Sequence, residues 1–385
     1  MTFPTEKEIA FECRFFLGDR PCAWHKREGC LCRCQHYQPV TGKILLIKLD
    51  AAGDVLRTTC LLPPMTRKWP DAALTWITRP DSVPLLDNNP YLTEVIPYGP
   101  DAVVQLTSRV FDQVINLDAG KISGGLASMA RAKIKTGYAL HEDGYVQPCS
   151  REAEDWFRMG IFDDLKQSNK KTYQEIMCEI LGLGKEGLAY VLKITDEEHR
   201  QAFEHLSRLG ADISKPILGI HTGGGERWPL KQWTEKGFTN LIDLLSEKGV
   251  QVLLLGGTAE RERNERILSS VKEHVFDGGC DNSLRHFAGL IGHCDVILSG
   301  DSLAMHIALA MNRRVVVLFG PTSHAEIELF GKGEKIVPDL DCLSCYRTSC
   351  DVRPNCMESI SVPSVYEAIS RQFGAAGKKF ESLKV

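Results

Sequence analysis

The stretch ILLIKLDAAGDVLRTT, residues 44–59, sets the frame for the rest of the chain. Its first part, 44–49, is a nearly unbroken apolar run of strand length, as in strands buried on both faces of a parallel sheet. Asp50, Gly53 and Asp54 follow where that strand ends, and 54–69 reads as a helix that Pro63 and Pro64 interrupt. Further strands are expected at 73–78, 93–98, 111–117 and 133–138, with helices between them. Residues 171–183 place Tyr173, Ile176, Met177, Ile180 and Leu181 at helical spacing. A second helical stretch, 196–209, starts on Asp196-Glu197-Glu198 and stops at Gly210. The pattern then restarts with strand 217–221, a glycine-rich loop, helix 234–248 and strand 250–255. Helices 259–272 and 283–293, strand 295–298, helix 303–311 and strand 315–319 complete it. Strands alternating with helices in this way predict an α/β chain of two doubly wound units, joined near 185–214. A last helix is expected near 364–373, followed by a basic tail (Lys378, Lys379, Lys384) that reads as a frayed, solvated end.

A chain of 385 residues exceeds what one core usually holds, which agrees with two domains. Its composition, 43% hydrophobic and 25% charged, is that of an ordinary globular protein. The net charge of −4 argues against a broad nucleic-acid surface, so any basic site must be local. The opening MTFPTEKEIAFE has no basic segment leading into an apolar one, and no apolar run reaches the ~18 residues of a membrane span. A cytoplasmic protein is expected.

Three constellations carry chemistry. Asp54 sits just past the first strand, where α/β sheets hold ligands, and a carboxylate there can accept a proton from an attacking hydroxyl. Capping of the following helix is the competing explanation for it. In IHTGGGERWPLKQW, 220–233, Thr222, Gly223 and Gly224 end a strand in a nest of backbone N–H groups suited to phosphate, and Lys231 adds a mobile charge. Trp228 and Trp233 read as packing residues. In SGDSLAMHI, 299–307, the helix start at Ser302, Leu303 and Ala304 offers unpaired N–H groups to a diphosphate. Asp301 can orient Lys231 or a ligand hydroxyl, and His306 lies one turn in. Glu260 and Glu262, after Gly256-Gly257, suit a ribose diol, although solvated acids at a helix start read equally well. On the first domain, Arg57 and the run Arg131, Lys133 and Lys135 could attract an anionic acceptor, with solvated surface charge as the plainer reading.

Together ILLIKLDAAGDVLRTT, HTGGGERWPLKQW, LLLGGTAE, DSLAMHIALAMNRRVVVLFGPT and CLSCYRTSC resemble the lipopolysaccharide heptosyltransferases, glycosyltransferase family 9, over about 43–370. The resemblance implies a GT-B fold, two Rossmann-like domains facing across a cleft, with a C-terminal helix that crosses back to the first domain. It implies inverting transfer of heptose from ADP-heptose to a lipid-linked or oligosaccharide acceptor, with no cofactor or metal required and with peripheral contact at the inner membrane face. The family's catalytic Asp falls on Asp54, its phosphate-binding Lys on Lys231, and its D-T-G-x-x-H on Asp301, Ser302, Leu303 and His306. Leu303 departs from the usual Gly. A GT-B enzyme of other donor specificity, a nucleotide-sugar epimerase and a non-catalytic nucleotide-sugar or glycan binding module are the alternatives.

Fourteen cysteines are concentrated in two places. Cys13, Cys22, Cys30 and Cys34 in an N-terminal arm (1–42) are expected to hold a structural zinc or an iron–sulfur cluster. Cys342, Cys345, Cys350 and Cys356 form a C-x2-C-x4-C-x5-C run near the other end. The expected domains are thus the arm, an acceptor domain at 43–190, a donor domain at 210–362 and a terminal helix with its tail at 363–385.

Overall fold

The computed structural model describes residues 9–225 and 228–378. Most of the N-terminal stretch read for a targeting signal, the loop residues Glu226 and Arg227, and the tail lysines Lys379 and Lys384 lie outside the described residues. The first sheet contains β1 (Gly42–Ile47), β2 (Ala72–Thr78), β3 (Glu94–Pro97), β4 (Val110–Asn116), β5 (Arg131–Leu140) and β6 (Val146–Pro148), in the order β3-β2-β1-β4-β5-β6. It is parallel except where β6 runs against β5. The second contains β7 (Ile217–His221), β8 (Gln251–Leu255), β9 (Phe276–Asp277), β10 (Val296–Gly300), β11 (Arg314–Leu318) and β12 (Gly333–Ile336), in the order β12-β11-β10-β7-β8-β9, parallel throughout. Each sheet starts at its middle strand and winds outward on both sides. The order therefore reverses between β1 and β4 and between β7 and β10, where doubly wound sheets open a ligand crevice.

The unbroken apolar character of β1 has a direct cause. Ile44 and Leu46 enter one core cluster while Leu45 and Ile47 enter another on the opposite face of the sheet. Both faces are covered, so neither alternate position can be polar. After β1 the chain forms the helix Ala52–Thr58, a 3-10 turn Thr59–Leu61 and the helix Leu62–Lys68. Pro63 and Pro64 fall in the first turn of that last helix, where a missing N–H removes no hydrogen bond.

Two expectations about the domains change. The helix Asp196–Arg208 packs through Ala202 and Leu206 in the core cluster that holds Leu290 and Ile291. Its Glu198 accepts from Arg285, whose guanidinium also reaches the carbonyls of Lys193 at 2.8 Å and Pro84 at 2.9 Å. The second unit thus begins before residue 210, and Arg285 ties it to the first. The C-terminal helix, Val362–Ala375, does not cross back. Its Val365, Ile369 and Phe373 pack with Leu241, Ile242 and Leu245, and Lys378 pairs with Asp295 at 3.6 Å, all in the second unit. The strands β6, β9 and β12 and the helices Glu154–Ile161 and Asp163–Ser168 were not anticipated.

Residues before β1 form the expected arm, with one short helix, Ala23–Glu28, and a single bridge between Cys13 and Pro39. Trp24 stacks on His36 with ring centres 3.7 Å apart, and Tyr37 donates to Glu12 at 2.7 Å. Cys22 caps the helix by accepting from His25 N at 3.4 Å. Desolvation, then the neighbouring Cys34, push the Cys30 thiol up to about 11. Among the described residues, however, no three His, Cys, Asp or Glu side chains converge as a set able to hold a metal ion. The ligand set expected on Cys13, Cys22, Cys30 and Cys34 therefore does not fit a zinc or iron–sulfur centre as these side chains are arranged. The reason is that C-x-C-x-C spacing sets proximity along the chain but not the direction of each thiol.

Candidate active site

The two crevices face one another and share a single cavity of about 640 Å³. One wall is the start of the Ala52–Thr58 helix; the other is the Gly224–Gly225 loop, Lys231 and the start of the helix Leu303–Ala310. Contact between the walls is close at Gly53, where an added Cβ would lie 3.1 Å from His306 Cδ2 and 3.8 Å from Leu303 Cα. Glycine is therefore required by the approach of the two helices.

Asp54 occupies the third position of its helix and serves both functions weighed for it. Its Oδ2 accepts from Ala51 N at 3.3 Å, which is the capping contact, and its Oδ1 lies 2.9 Å from Arg57 Nε. Its side chain stays 36% exposed to the cavity. Burial alone would raise the carboxyl's pKa, but Arg57, Lys48 and His306 outweigh it and hold Asp54 below the ordinary value. Lys48 is itself buried against Asp118, at the end of β4. Arg57 lies flat over the Tyr173 ring at 3.8 Å, so its guanidinium is fixed from below.

Across the cavity, Lys231 donates to Asp301 Oδ2 at 2.7 Å and to Asp301 O at 3.0 Å, and Thr322 donates to the same carboxylate oxygen at 2.9 Å. Burial opposes ionisation of Asp301, yet Lys231 prevails and its pKa falls. Gly224 makes room for this lysine, since a Cβ there would sit 2.7 Å from Lys231 Cβ. Ser302 caps the Leu303–Ala310 helix without a side-chain bond to it, because its hydroxyl is shared with Ser299 at 2.9 Å. The first N–H groups of that helix are left without side-chain acceptors at the cavity wall. His306 is buried and its Nδ1 has no hydrogen-bond partner. Burial first, then Arg57, push its pKa down to about 4 against the pull of Asp301 and Asp54. The imidazole is neutral at pH 7.

This arrangement can do one kind of chemistry well. A carboxylate on one wall can take a proton, while a lysine and a helix start on the other can receive a departing anion. Residues 103–355 match the model of glycosyltransferase family 9 (heptosyltransferase). The chain belongs to glycosyltransferase family 9. It is 24% identical to a lipooligosaccharide heptosyltransferase 2 of Haemophilus ducreyi over 327 residues, covering 78% of this chain and 89% of that one. In fold it is similar to the glycosyl transferase family 9 protein of Veillonella parvula, with a TM-score of 0.71, 19% identity and coverage of 87% and 98%. It is also similar to the Escherichia coli ADP-heptose lps heptosyltransferase II, with a TM-score of 0.64, 20% identity and coverage of 87% and 99%. The GT-B architecture and a glycosyltransferase activity follow.

The expected site residues of this family 9 enzyme divide into three groups. Asp54, Arg57, Gly224, Lys231, Glu260, Asp301, Ser302, Leu303, Ala304 and His306 all line the cavity. Glu260 accepts from Gly257 N at 2.9 Å, while Glu262 is exposed outside the cavity. Thr222 and Gly223 line the loop from behind. The Thr222 hydroxyl is spent on Asn264 at 2.6 Å and Gly223 backs onto the Glu260 carboxylate, so neither presents its side to a phosphate. Arg131, Lys133 and Lys135 are not in the site. They lie at the start of β5, and in a parallel sheet that is the edge away from the strand C-termini. Lys133 is paired with Asp112 at 2.8 Å and Lys135 donates to Ser128 O at 2.8 Å. Arg57 lines the cavity but is committed to Asp54 rather than free for an acceptor. Trp233 is buried and bonded to Ile360 O, as a packing residue, whereas Trp228 lines the cavity against Tyr346.

Sequence reasoning overlooked Lys48, Thr322, Glu326 and Tyr346. The last three stand in stretches whose resemblance was recognised or just beyond them (GPTSHAE and CLSCYRTSC), where position after a strand was the available signal. Among the described residues no helix is long and apolar enough to cross a membrane.

Proposed function

We propose that this enzyme transfers a heptose-type sugar, with inversion, from a nucleotide diphosphate donor, ADP-heptose in the first instance, to a lipopolysaccharide core or similar glycan. The observation that carries this reading is the opposition of Asp54 to Lys231 and the Leu303–Ala310 helix start across one cavity. Asp54, ionised well below neutral pH, takes the proton of the acceptor hydroxyl. The freed oxygen forms its bond to the anomeric carbon as that carbon's bond to the diphosphate breaks. The departing electron pair goes out on the diphosphate, whose charge meets the Lys231 ammonium and the backbone N–H groups of residues 303–304. Protein groups alone balance this step. Glu260 and the Gly256–Gly257 turn are assigned to the nucleoside end. Its reaction places the enzyme in the cytoplasm, with peripheral contact at the inner face of the inner membrane when the acceptor is lipid-linked.

The test is transfer from ADP-heptose to a heptose-deficient core acceptor by wild type, Asp54→Ala and Asp54→Asn. Both variants should lose roughly 10²–10⁴-fold in kcat, the range of a general base, while ADP affinity stays nearly the same. Turnover at the wild-type rate would remove Asp54 from the role. Thermal shifts with ADP-, GDP- and UDP-sugars separate this donor assignment from other nucleotides.

A further inference from the structure

The cavity has a second polar end that the reaction above leaves unused. It is closed by Thr322, Ser323, Glu326 and Ile327, which follow β11, and by Tyr346 from the cysteine-rich loop. Tyr346 holds a left-handed backbone conformation, φ 53°. Its hydroxyl accepts from Ser323 N at 3.2 Å and donates to Glu326 Oε1 at 3.1 Å. The first domain grips the same pair from outside. Lys166 Nζ sits 4.2 Å over the Tyr346 ring, and Tyr173 N donates to Glu326 O at 3.0 Å. Glu326 is thus oriented from both domains, yet Tyr346 is its carboxylate's one hydrogen-bond partner recorded among the described residues. A carboxylate offers about four acceptor positions, so most of its capacity faces the cavity. Its position lies between the two halves of the machinery, within electrostatic reach of Arg57 and Asp301. Burial pushes its pKa up while Arg57 and Tyr346 pull it down, leaving it above the ordinary carboxylate value.

We propose that Glu326, held by Tyr346, is the subsite that reads hydroxyls of the transferred sugar, taking a vicinal pair of hydroxyls on the carboxylate. The proposal rests on the donor-transfer reading above and assigns the specificity of that same site. Glu260 stands at the nucleoside end with the Gly257 turn, and Asp54 faces the attacking hydroxyl. That leaves Glu326 as the carboxylate available to the sugar. A buried acceptor built for hydroxyls also discriminates, because a sugar lacking one leaves the acceptor unpaired.

The experiment uses the full-length enzyme, Glu326→Gln and Tyr346→Phe, with ADP and a set of ADP-sugars that differ in one hydroxyl. Wild type should bind its preferred ADP-sugar tighter than ADP and turn it over with clear preference. Glu326→Gln should lose about 10–100-fold in kcat/KM for that donor, flatten the preference between donors and leave ADP affinity within about twofold. Tyr346→Phe, which keeps the ring under Lys166, should show the same pattern with a smaller loss. Wild-type turnover with an unaltered donor preference in both variants overturns the proposal and spares the transferase reading. Equal weakening of ADP and ADP-sugar also overturns it, since that is a structural effect. A wild type that turns over none of the ADP-sugars overturns this proposal together with the reading it rests on.

Discussion

Replacing Gly53 by alanine tests the closeness of the two domains directly. The added Cβ would stand 3.1 Å from His306 Cδ2, with Leu303 Cα at 3.8 Å behind it. Carbon atoms prefer ~3.5–4.0 Å, so the walls must part by roughly half an ångström. His306 cannot swing aside cheaply, because it is buried. For stability, two effects oppose each other. Alanine in a helix gains ~0.5–1 kcal/mol over glycine, and overpacking costs ~1–3 kcal/mol. Net destabilisation should therefore be no more than about 2 kcal/mol. Catalysis has no such offset, since the parted walls carry Asp54 away from the diphosphate clamp. A misplacement of about 1 Å costs on the order of 10²-fold, so roughly a tenfold loss of kcat is expected for half that distance. The assay is ADP release at saturating donor and acceptor, run beside calorimetric melting and ADP titration. Wild-type kcat would refute the closure argument. A fall in kcat matched by a collapse in melting temperature would refute the claim that the effect is geometric.

Removing the guanidinium in Arg57→Ala takes away the largest of the charges that lower the Asp54 pKa, so the acid limb of the pH–rate profile should move up by roughly one to two units; an unmoved limb would count against Asp54 as the titrating base. For His306, the folded pKa of about 4 lies below its ordinary value near 6.5, so the folded state binds fewer protons and stability is lost as pH falls from about 6.5 towards 4. Between pH 7 and 4.5 that loss amounts to about 2–3 kcal/mol in urea unfolding and should largely vanish in His306→Gln. The triple substitution of Arg131, Lys133 and Lys135 by alanine should leave kcat/KM within about twofold, because all three lie at the far edge of the first sheet; a tenfold rise in acceptor KM would restore them to the site.

Much of the fold could be read from local pattern because buried parallel strands leave so strong a trace. The runs at β1, β7 and β11 are apolar on both faces, and each was found within two residues of its bounds. Short edge elements such as β9 and β12 carry no such trace, since a strand of two to four residues has too few positions for a pattern. Asp54, Lys231 and Asp301 were legible because each stands just after a strand, at the rim where ligands collect. The same rule, applied to Arg131, Lys133 and Lys135, would have placed them at the opposite rim, for they begin their strand. Glu326 and Tyr346 could not have been paired in advance. A loop between β12 and the C-terminal helix brings them together, and its course depends on packing that no spacing encodes. The arm failed for a related reason. Shared neighbourhood along the chain says nothing of where each sulfur points.

The contact between Lys231 and Asp301 makes the phosphate side of the cavity a guarded one. Before any ligand arrives, the ammonium is already neutralised by an acid within its own domain. A stray phosphate therefore meets little bare charge and gains little by stopping there. A diphosphate that also engages the helix start and a nucleoside end can share the lysine with its acid. When the sugar has left, Asp301 remains in place as a built-in competitor, and the spent nucleotide has one reason fewer to stay.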